Sequence, residues 1–210
     1  MEGPGTITWE EFLNDAEKFL QVSNNISDCW EIRGDKKEPG QAYLFHEEKI
    51  FISSDKVSML NSKTDEIYKN YENVIDPFEA PSCNDSPLII QHHILWSLSY
   101  SVPVLYFNGW LSDFTGVNSV NVESAQKLIH HGCLGYSELS QTIHPILGKT
   151  FLYLHPCMSK ELLQITPKSE NKLISWLSAF APAALNLKLK NEYFELTRGN
   201  QVKDKFKKPT

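Results

Sequence analysis

Apolar residues recur at helical spacing near the start of the chain. Trp9, Phe12, Leu13, Ala16, Phe19 and Leu20 line one side of a stretch from Thr8 to about Asn24, which predicts an amphipathic helix. Thr8-Trp9-Glu10-Glu11 carries a capping-box pattern, in which a hydroxyl and a carboxylate each satisfy an orphan amide of the first turn. The period then changes to two. Trp30 and Ile32, Tyr43 and Phe45, and Ile50 and Ile52 predict three short strand segments, separated by Gly34-Asp35 and by charged Glu47-Glu48. Further on, Ile94, Trp96, Leu98 and Tyr100 alternate with His93, Leu95, Ser97 and Ser99. Val102 to Trp110 reads as a second apolar strand, its end marked by Asn108-Gly109. In such a strand His92-His93 is expected to place one imidazole inside and the other outside.

Between the two groups of strands lies Ser54 to Pro87, with seven acidic residues, three lysines and prolines at 77, 81 and 87. A connection of that length is unusual inside a compact domain. Ile67, Tyr71, Val74 and Phe78 have the spacing of a short helix within it. In the second half, Val122 to His131 is expected to be helical and to end at Gly132, and Ser137 to Thr150 to be irregular. Phe151 to Leu154 is a short apolar run. Met158 to Ile165 is expected as a short helix and Ser169 to Ala181 as a longer one, burying Leu173, Ile174, Trp176, Leu177 and Phe180. Arg198 to Thr210 is basic. A helix, then antiparallel-looking strands, then helices predict an α+β domain with helices grouped about one sheet rather than alternating βαβ units. The expected organisation is a single domain over 1–196 with a long acidic loop at 54–87, followed by a basic tail at 197–210.

Composition narrows the function classes. A chain of 210 residues with 41% hydrophobic and 11% aromatic residues can build a core and is too apolar for a disordered chain. A net charge of −6 argues against a nucleic-acid partner, which calls for a basic face. The N-terminus shows no basic segment followed by an apolar stretch, so no signal peptide is expected. The longest apolar stretch, Leu173 to Leu187, is broken by Ser175, Ser178, Pro182 and Asn186, so no membrane span is expected. The expected setting is cytoplasmic and reducing, with Cys29, Cys83, Cys133 and Cys157 as free thiols.

Of these four, Cys157 has the most suggestive setting. It follows an apolar strand and the pair His155-Pro156, and it precedes a predicted helix. Pro156 fixes its own φ and biases His155 toward an extended backbone, so the chain entering the cysteine is stiff. Orphan amides at a helix start favour an anionic sulfur. In an extended segment His155 and Cys157 point to the same side. A buried structural thiol after a strand is the competing reading from these residues alone. Cys133 follows His130-His131-Gly132, but no second ligand pair at zinc spacing accompanies it. Cys83 lies in the acidic loop and Cys29 opens a strand. No Gly-rich phosphate loop, HExxH helix or G-x-S-x-G elbow occurs.

His144-Pro145-Ile146-Leu147-Gly148 followed by Phe151-Leu152-Tyr153-Leu154-His155-Pro156-Cys157 resembles the active-site region of the autophagy conjugating enzymes, in particular the autophagy-related protein ten family. Asp28-Cys29-Trp30-Glu31, Ser99 to Phe107 and Trp176-Leu177-Ser178 stand in the matching order, and the resemblance covers most of residues 8–190. His155-Pro156-Cys157 is also similar to the lipid-conjugating autophagy-related protein three family, though Val102 to Phe107 fits the former better. The resemblance implies a ubiquitin-conjugating-enzyme-like fold, with an antiparallel sheet and flanking helices. It implies that Cys157 accepts a modifier, autophagy-related protein twelve, as a thioester from an activating enzyme, autophagy-related protein seven. A lysine of autophagy-related protein five would then take it as an isopeptide. Such transfer is covalent catalysis that calls for no metal or organic cofactor.

Ordinary ubiquitin-conjugating enzymes carry a His-Pro-Asn motif shortly before the cysteine, and here Ile146 stands in the place of that asparagine. Tyr106 and Asn108 are the candidate polar substitutes, set against plain roles as a strand tyrosine and a turn asparagine. His155 and Pro156 are assigned support. A strong base touching a thioester would activate water as readily as lysine, so His155 is expected to orient its loop. The alternatives are a cysteine hydrolase pairing Cys157 with His144 or His155, and a non-catalytic interaction domain of the same fold. Acceptor recognition is expected at a hairpin around residues 41–53 and the adjoining acidic loop.

Overall fold

The computed structural model describes residues 5–53, 56–57, 85–129, 139–185 and 187–198. Helix α1 spans Trp9–Asn25, with Thr8 as N-cap and Glu11 closing the capping box. Its apolar stripe is buried through Trp9, Phe12, Ala16 and Phe19. Four strands follow: β1 (Glu31–Gly34), β2 (Ala42–Ser53), β3 (Asp85–Ser97) and β4 (Val102–Trp110). After helix α2 (Val122–Leu128) come β5 (Leu139–Ile143), β6 (Thr150–Leu154), α3 (Cys157–Ile165) and α4 (Lys172–Phe180), then 3₁₀ turns at Ala181–Ala183 and Asn191–Thr197. The described strands form one antiparallel sheet in the order β1-β2-β3-β4-β6-β5. With the helices packed against it, this is the expected α+β, ubiquitin-conjugating-enzyme-like fold. No helix among the described residues is long and apolar enough to cross a membrane.

The main core lies between the sheet and its helices, with Leu44, Ile90, Ile94, Leu105, Phe107 and Leu152 meeting Phe12, Phe19, Leu173, Trp176 and Leu177. Asp15 fastens α4 to α1. One of its carboxylate oxygens accepts from the amides of Lys172 and Leu173 at 2.8 and 3.3 Å, and Asn171 donates to its carbonyl at 3.0 Å. The orphan amides of the α4 N-terminus are thus satisfied inside the core. The segment after α4 is tied down by Asp28, which accepts from the Tyr193 hydroxyl and pairs with Lys190, both at 2.6 Å.

Several expectations are corrected. The segments at Tyr43–Phe45 and Ile50–Ile52 are one continuous strand inside the sheet, so residues 41–53 form no hairpin. Glu47 and Glu48 do not break it because their side chains leave on opposite faces. Glu47 accepts from Gln91 at 2.6 Å, and Glu48 is half-buried on the other side. The acidic connection is shorter than 54–87, since Asp85, Ser86 and Pro87 already pair with β2. The stretch expected to be irregular is not so from Leu139 to Thr150, where β5 and β6 form a hairpin through His144. Ser140-Gln141-Thr142 hid that strand, because an edge strand facing solvent needs no apolar alternation. Helix α2 stops at Leu128, where Ile129 turns extended with ψ 133°. Helix α3 starts one residue earlier than expected, at Cys157 itself. The possible helix over Ile67 to Phe78, Cys83, the His130 to Cys133 run with its expected Gly132 cap, and the basic tail from 199 onward lie outside the described residues.

Both His92 and His93 are buried, contrary to the inside–outside expectation. The reason is that both faces of the sheet are covered at this level. On the helix side the His92 Nε2 meets the Ala184 carbonyl at 2.8 Å. On the other side the β5–β6 turn folds over His93, and Ile146 packs with Tyr43, Phe45, Leu95 and Tyr106 in a second, smaller core.

Candidate active site

Cys157 is the first residue of α3, and its side chain is exposed. The chain reaches it through β6, and Pro156, buried, occupies the N-cap position without a capping side chain. The cap comes from one residue earlier: the Cys157 amide donates to His155 Nδ1 at 3.2 Å. An orphan amide of the helix start is thereby satisfied. Because Nδ1 accepts, the neutral ring carries its proton on Nε2. The nitrogen nearest the cysteine backbone is therefore engaged as a cap and is not free to take a proton from the thiol.

Alternation along β6 places Tyr153 and His155 on the same side. Their rings stand edge to face with centroids 6.1 Å apart, and Tyr100 from the β3–β4 turn faces His155 at the same distance. Tyr106 lies behind Tyr153 at 5.0 Å and touches His144 at 5.1 Å. Burial pushes the phenols of Tyr106 and Tyr153 up, and for Tyr153 the proximity of Tyr106, Tyr100 and Cys157 adds to this. Both phenols stay protonated donors. Sequence reasoning singled out Tyr106 and missed Tyr153 and Tyr100. The period of two leading back from Cys157 through His155 was the signal that reaches Tyr153.

Asn108 sits elsewhere. Its amide donates to the Thr150 carbonyl at 3.1 Å, and its oxygen accepts from the Leu152 amide at 3.4 Å. Both contacts are on the first half of β6, which runs from there away toward Cys157. It is a strand residue rather than a turn residue, and it extends a β4–β6 ladder whose paired positions are Tyr106 with Tyr153 and Phe107 with Leu152. Its side chain is committed to that ladder.

His144 is fully buried. Its Nδ1 accepts from the amides of Ile146 and Leu147 at 3.3 and 3.2 Å, and its Nε2 lies 3.1 Å from His93 Nδ1. Two amides on Nδ1 place the proton on Nε2, which donates to His93 and leaves the His93 proton on an Nε2 without a partner among the described residues. Burial holds His144 down at about 4 and, with the neighbouring imidazole, His93 at about 3. His144 is thus the neutral pin of the β5–β6 turn, enclosed by Tyr43, Tyr106 and Phe151, and a hydrolase pairing Cys157 with His144 loses its base. Cys29, the other exposed cysteine among the described residues, lies in a left-handed turn at φ 58°. No group of three or more His, Cys, Asp or Glu among the described residues is arranged to hold a metal.

Comparisons with known proteins converge with this geometry. The family model described as autophagocytosis associated protein, active-site domain, matches residues 11–190. The human ubiquitin-like-conjugating enzyme ATG10 is 28% identical over 207 residues, covering 90% of this chain and 94% of its own length. The Arabidopsis thaliana enzyme of the same name is 28% identical over 199 residues, 78% of this chain and 87% of its own. The Dictyostelium discoideum one is 29% identical over 140 residues, 55% and 56% respectively. With the matched region taking in the sheet, Cys157 and both helices behind it, the chain belongs to the autophagocytosis-associated active-site domain family and has a ubiquitin-like-conjugating role in autophagy.

Proposed function

We propose that Cys157 carries a ubiquitin-like modifier as a thioester and passes it to a lysine of an acceptor protein. The observation that carries this reading is an exposed thiol at the first position of α3, with its amide held by His155. In the charging step the Cys157 sulfur attacks the carbonyl of the modifier's C-terminal glycine, itself a thioester on the activating enzyme. A new C–S bond forms, the old one breaks, and the departing thiolate takes up a proton. In the second step a neutral lysine amine attacks the same carbonyl. The C–N bond forms, Cys157 leaves as thiolate, and the amine's proton passes to solvent. Tyr153, whose phenol burial keeps protonated and which interacts with Cys157, is the candidate donor toward the developing oxyanion, with Tyr106 packed behind it and no base that would admit water. His155 and Pro156 hold the turn, and Asn108 acts through the β4–β6 ladder.

In the family resemblance the modifier is autophagy-related protein twelve, the activating enzyme autophagy-related protein seven and the acceptor autophagy-related protein five, in the cytoplasm. Those three proteins define the test. Incubation with activating enzyme, ATP and modifier is expected to give a reducible adduct on a non-reducing gel, lost in Cys157→Ala, and chased into an isopeptide when acceptor is added. An adduct that forms but is released only as free modifier in the presence of acceptor would favour hydrolysis. Absence of any adduct would favour a binding module.

A further inference from the structure

Trp176-Leu177-Ser178 stood out in the sequence, yet the chemistry at Cys157 does not account for it. Trp176 lies on α4 with its indole fully buried and stacked on Phe180 at 5.0 Å. Its Nε1 donates to the Ser159 hydroxyl at 2.8 Å, and that hydroxyl donates onward to the Pro103 carbonyl at 3.3 Å. Ser159 is itself buried, two residues beyond Cys157 in the first turn of α3. One hydroxyl therefore joins α3, α4 and β4, with its donor and one acceptor position both used.

Its position in the sheet gives this link a purpose. The paired positions of β4 and β6 are Tyr106 with Tyr153 and Phe107 with Leu152. Toward Pro103 the two strands are no longer laddered, and the chain leaves the sheet through His155 and Pro156 to start α3. Ser159 takes up the Pro103 carbonyl where that ladder has ended. The helix start has no capping side chain on Pro156, and the His155 contact lies on the exposed side of the turn. The buried side is held by Ser159, whose own amide also returns to the Pro156 carbonyl at 2.9 Å.

We propose that Ser159 and Trp176 are positioning residues for the reaction at Cys157: the Trp176–Ser159–Pro103 chain of hydrogen bonds fixes the azimuth and depth of the first turn of α3, and so the place of the sulfur relative to Tyr100 and Tyr153. This rests on Cys157 being the thioester carrier. Removal of the hydroxyl leaves the helix free to settle differently in its seat, and small displacements of a reacting group cost rate far out of proportion to stability. The partner-binding surface is untouched, because both side chains are buried.

The test is single-turnover charging of Ser159→Ala and Trp176→Phe over a range of activating-enzyme–modifier thioester concentrations. Leu163→Val, a buried change on the same helix that leaves the hydrogen bonds intact, serves as a control for destabilisation. Ser159→Ala is expected to lower the saturating rate roughly tenfold with half-saturation moved less than twofold. Trp176→Phe is expected to lower it less, and the double variant to be no slower than Ser159→Ala, since both act through one link. Leu163→Val is expected to keep its rate even at a similar loss of melting temperature. A saturating rate in Ser159→Ala equal to that of the unaltered protein, or a loss matched by Leu163→Val, overturns the proposal. If Ser159→Ala does not fold, the same two outcomes are read from Trp176→Phe. An unaltered protein that is never charged would instead remove the thioester reading itself.

Discussion

The chain contains two His-Pro-X segments, His144-Pro145-Ile146 and His155-Pro156-Cys157, separated by one strand. Their local geometry is the same. In each, the histidine Nδ1 accepts the amide of the residue two positions on, at 3.3 Å from Ile146 and 3.2 Å from Cys157. Their surroundings are opposite. His144 is sealed into the smaller core against His93, Tyr43, Tyr106 and Phe151, whereas His155 is exposed beside the thiol. One local device closes a hairpin in the first segment and presents a helix start in the second. The difference shows that exposure of Cys157 and burial of His144 come from where each motif is placed in the sheet and not from the dipeptide itself.

The largest effect that sharpens this contrast is expected from Cys157→Ala, which should lower conjugation by roughly 10³-fold or more while leaving the melting temperature nearly unchanged, because an exposed side chain is removed. His144→Ala should do the reverse. It empties a buried site and leaves two amides and His93 without a partner, at a cost of about 3 kcal/mol or more in chemical denaturation. A His144→Ala protein as stable as the original would break the comparison.

An effect of similar size comes from pH. An unfolded histidine titrates near 6.5, whereas burial holds His92 and His93 at about 3 and His144 at about 4. Between those values and 6.5 the unfolded chain binds protons that the folded chain refuses. Stability is therefore full above about pH 7 and falls as the pH drops, by roughly 2 kcal/mol for each such histidine at pH 5. Denaturation midpoints measured from pH 7.5 to 5 check this, and a flat profile would show that the rings are not held neutral.

Much of this was legible beforehand. The capping box and apolar spacing of α1 located that helix, and the alternation through Ile94 and Trp96 located the end of β3, although Leu98 and Tyr100, read into the same strand, lie in the turn after it. The stiff approach to Cys157 marked it as the nucleophile candidate. What escaped the sequence is what depends on the opposite face of the sheet. Nothing local in His92-His93 tells that the β5–β6 turn will cover the second ring. Nor does anything in Ser140-Gln141-Thr142 mark a strand whose outer side meets water. Asn108-Gly109 has turn chemistry, yet a long apolar strand pairing on both sides carried it into the ladder.

Smaller effects separate support from chemistry. His155→Ala should slow charging roughly tenfold by losing the cap on the Cys157 amide, and His155→Asn, whose side-chain oxygen can accept the same amide, should recover most of it. Equal and complete losses in both would make the ring itself essential. Asn108→Ala should cost about 1 kcal/mol of stability with charging changed less than twofold.

The most direct measurement is mass-spectrometric mapping of the adduct formed by Cys157→Ser in a mixture of activating enzyme, ATP and modifier, beside the unaltered protein. The account predicts a reducible link at residue 157 in the unaltered protein and a reductant-stable ester at the same position in the variant. A modifier attached at Cys29, or an adduct that persists unchanged in Cys157→Ala, would contradict it.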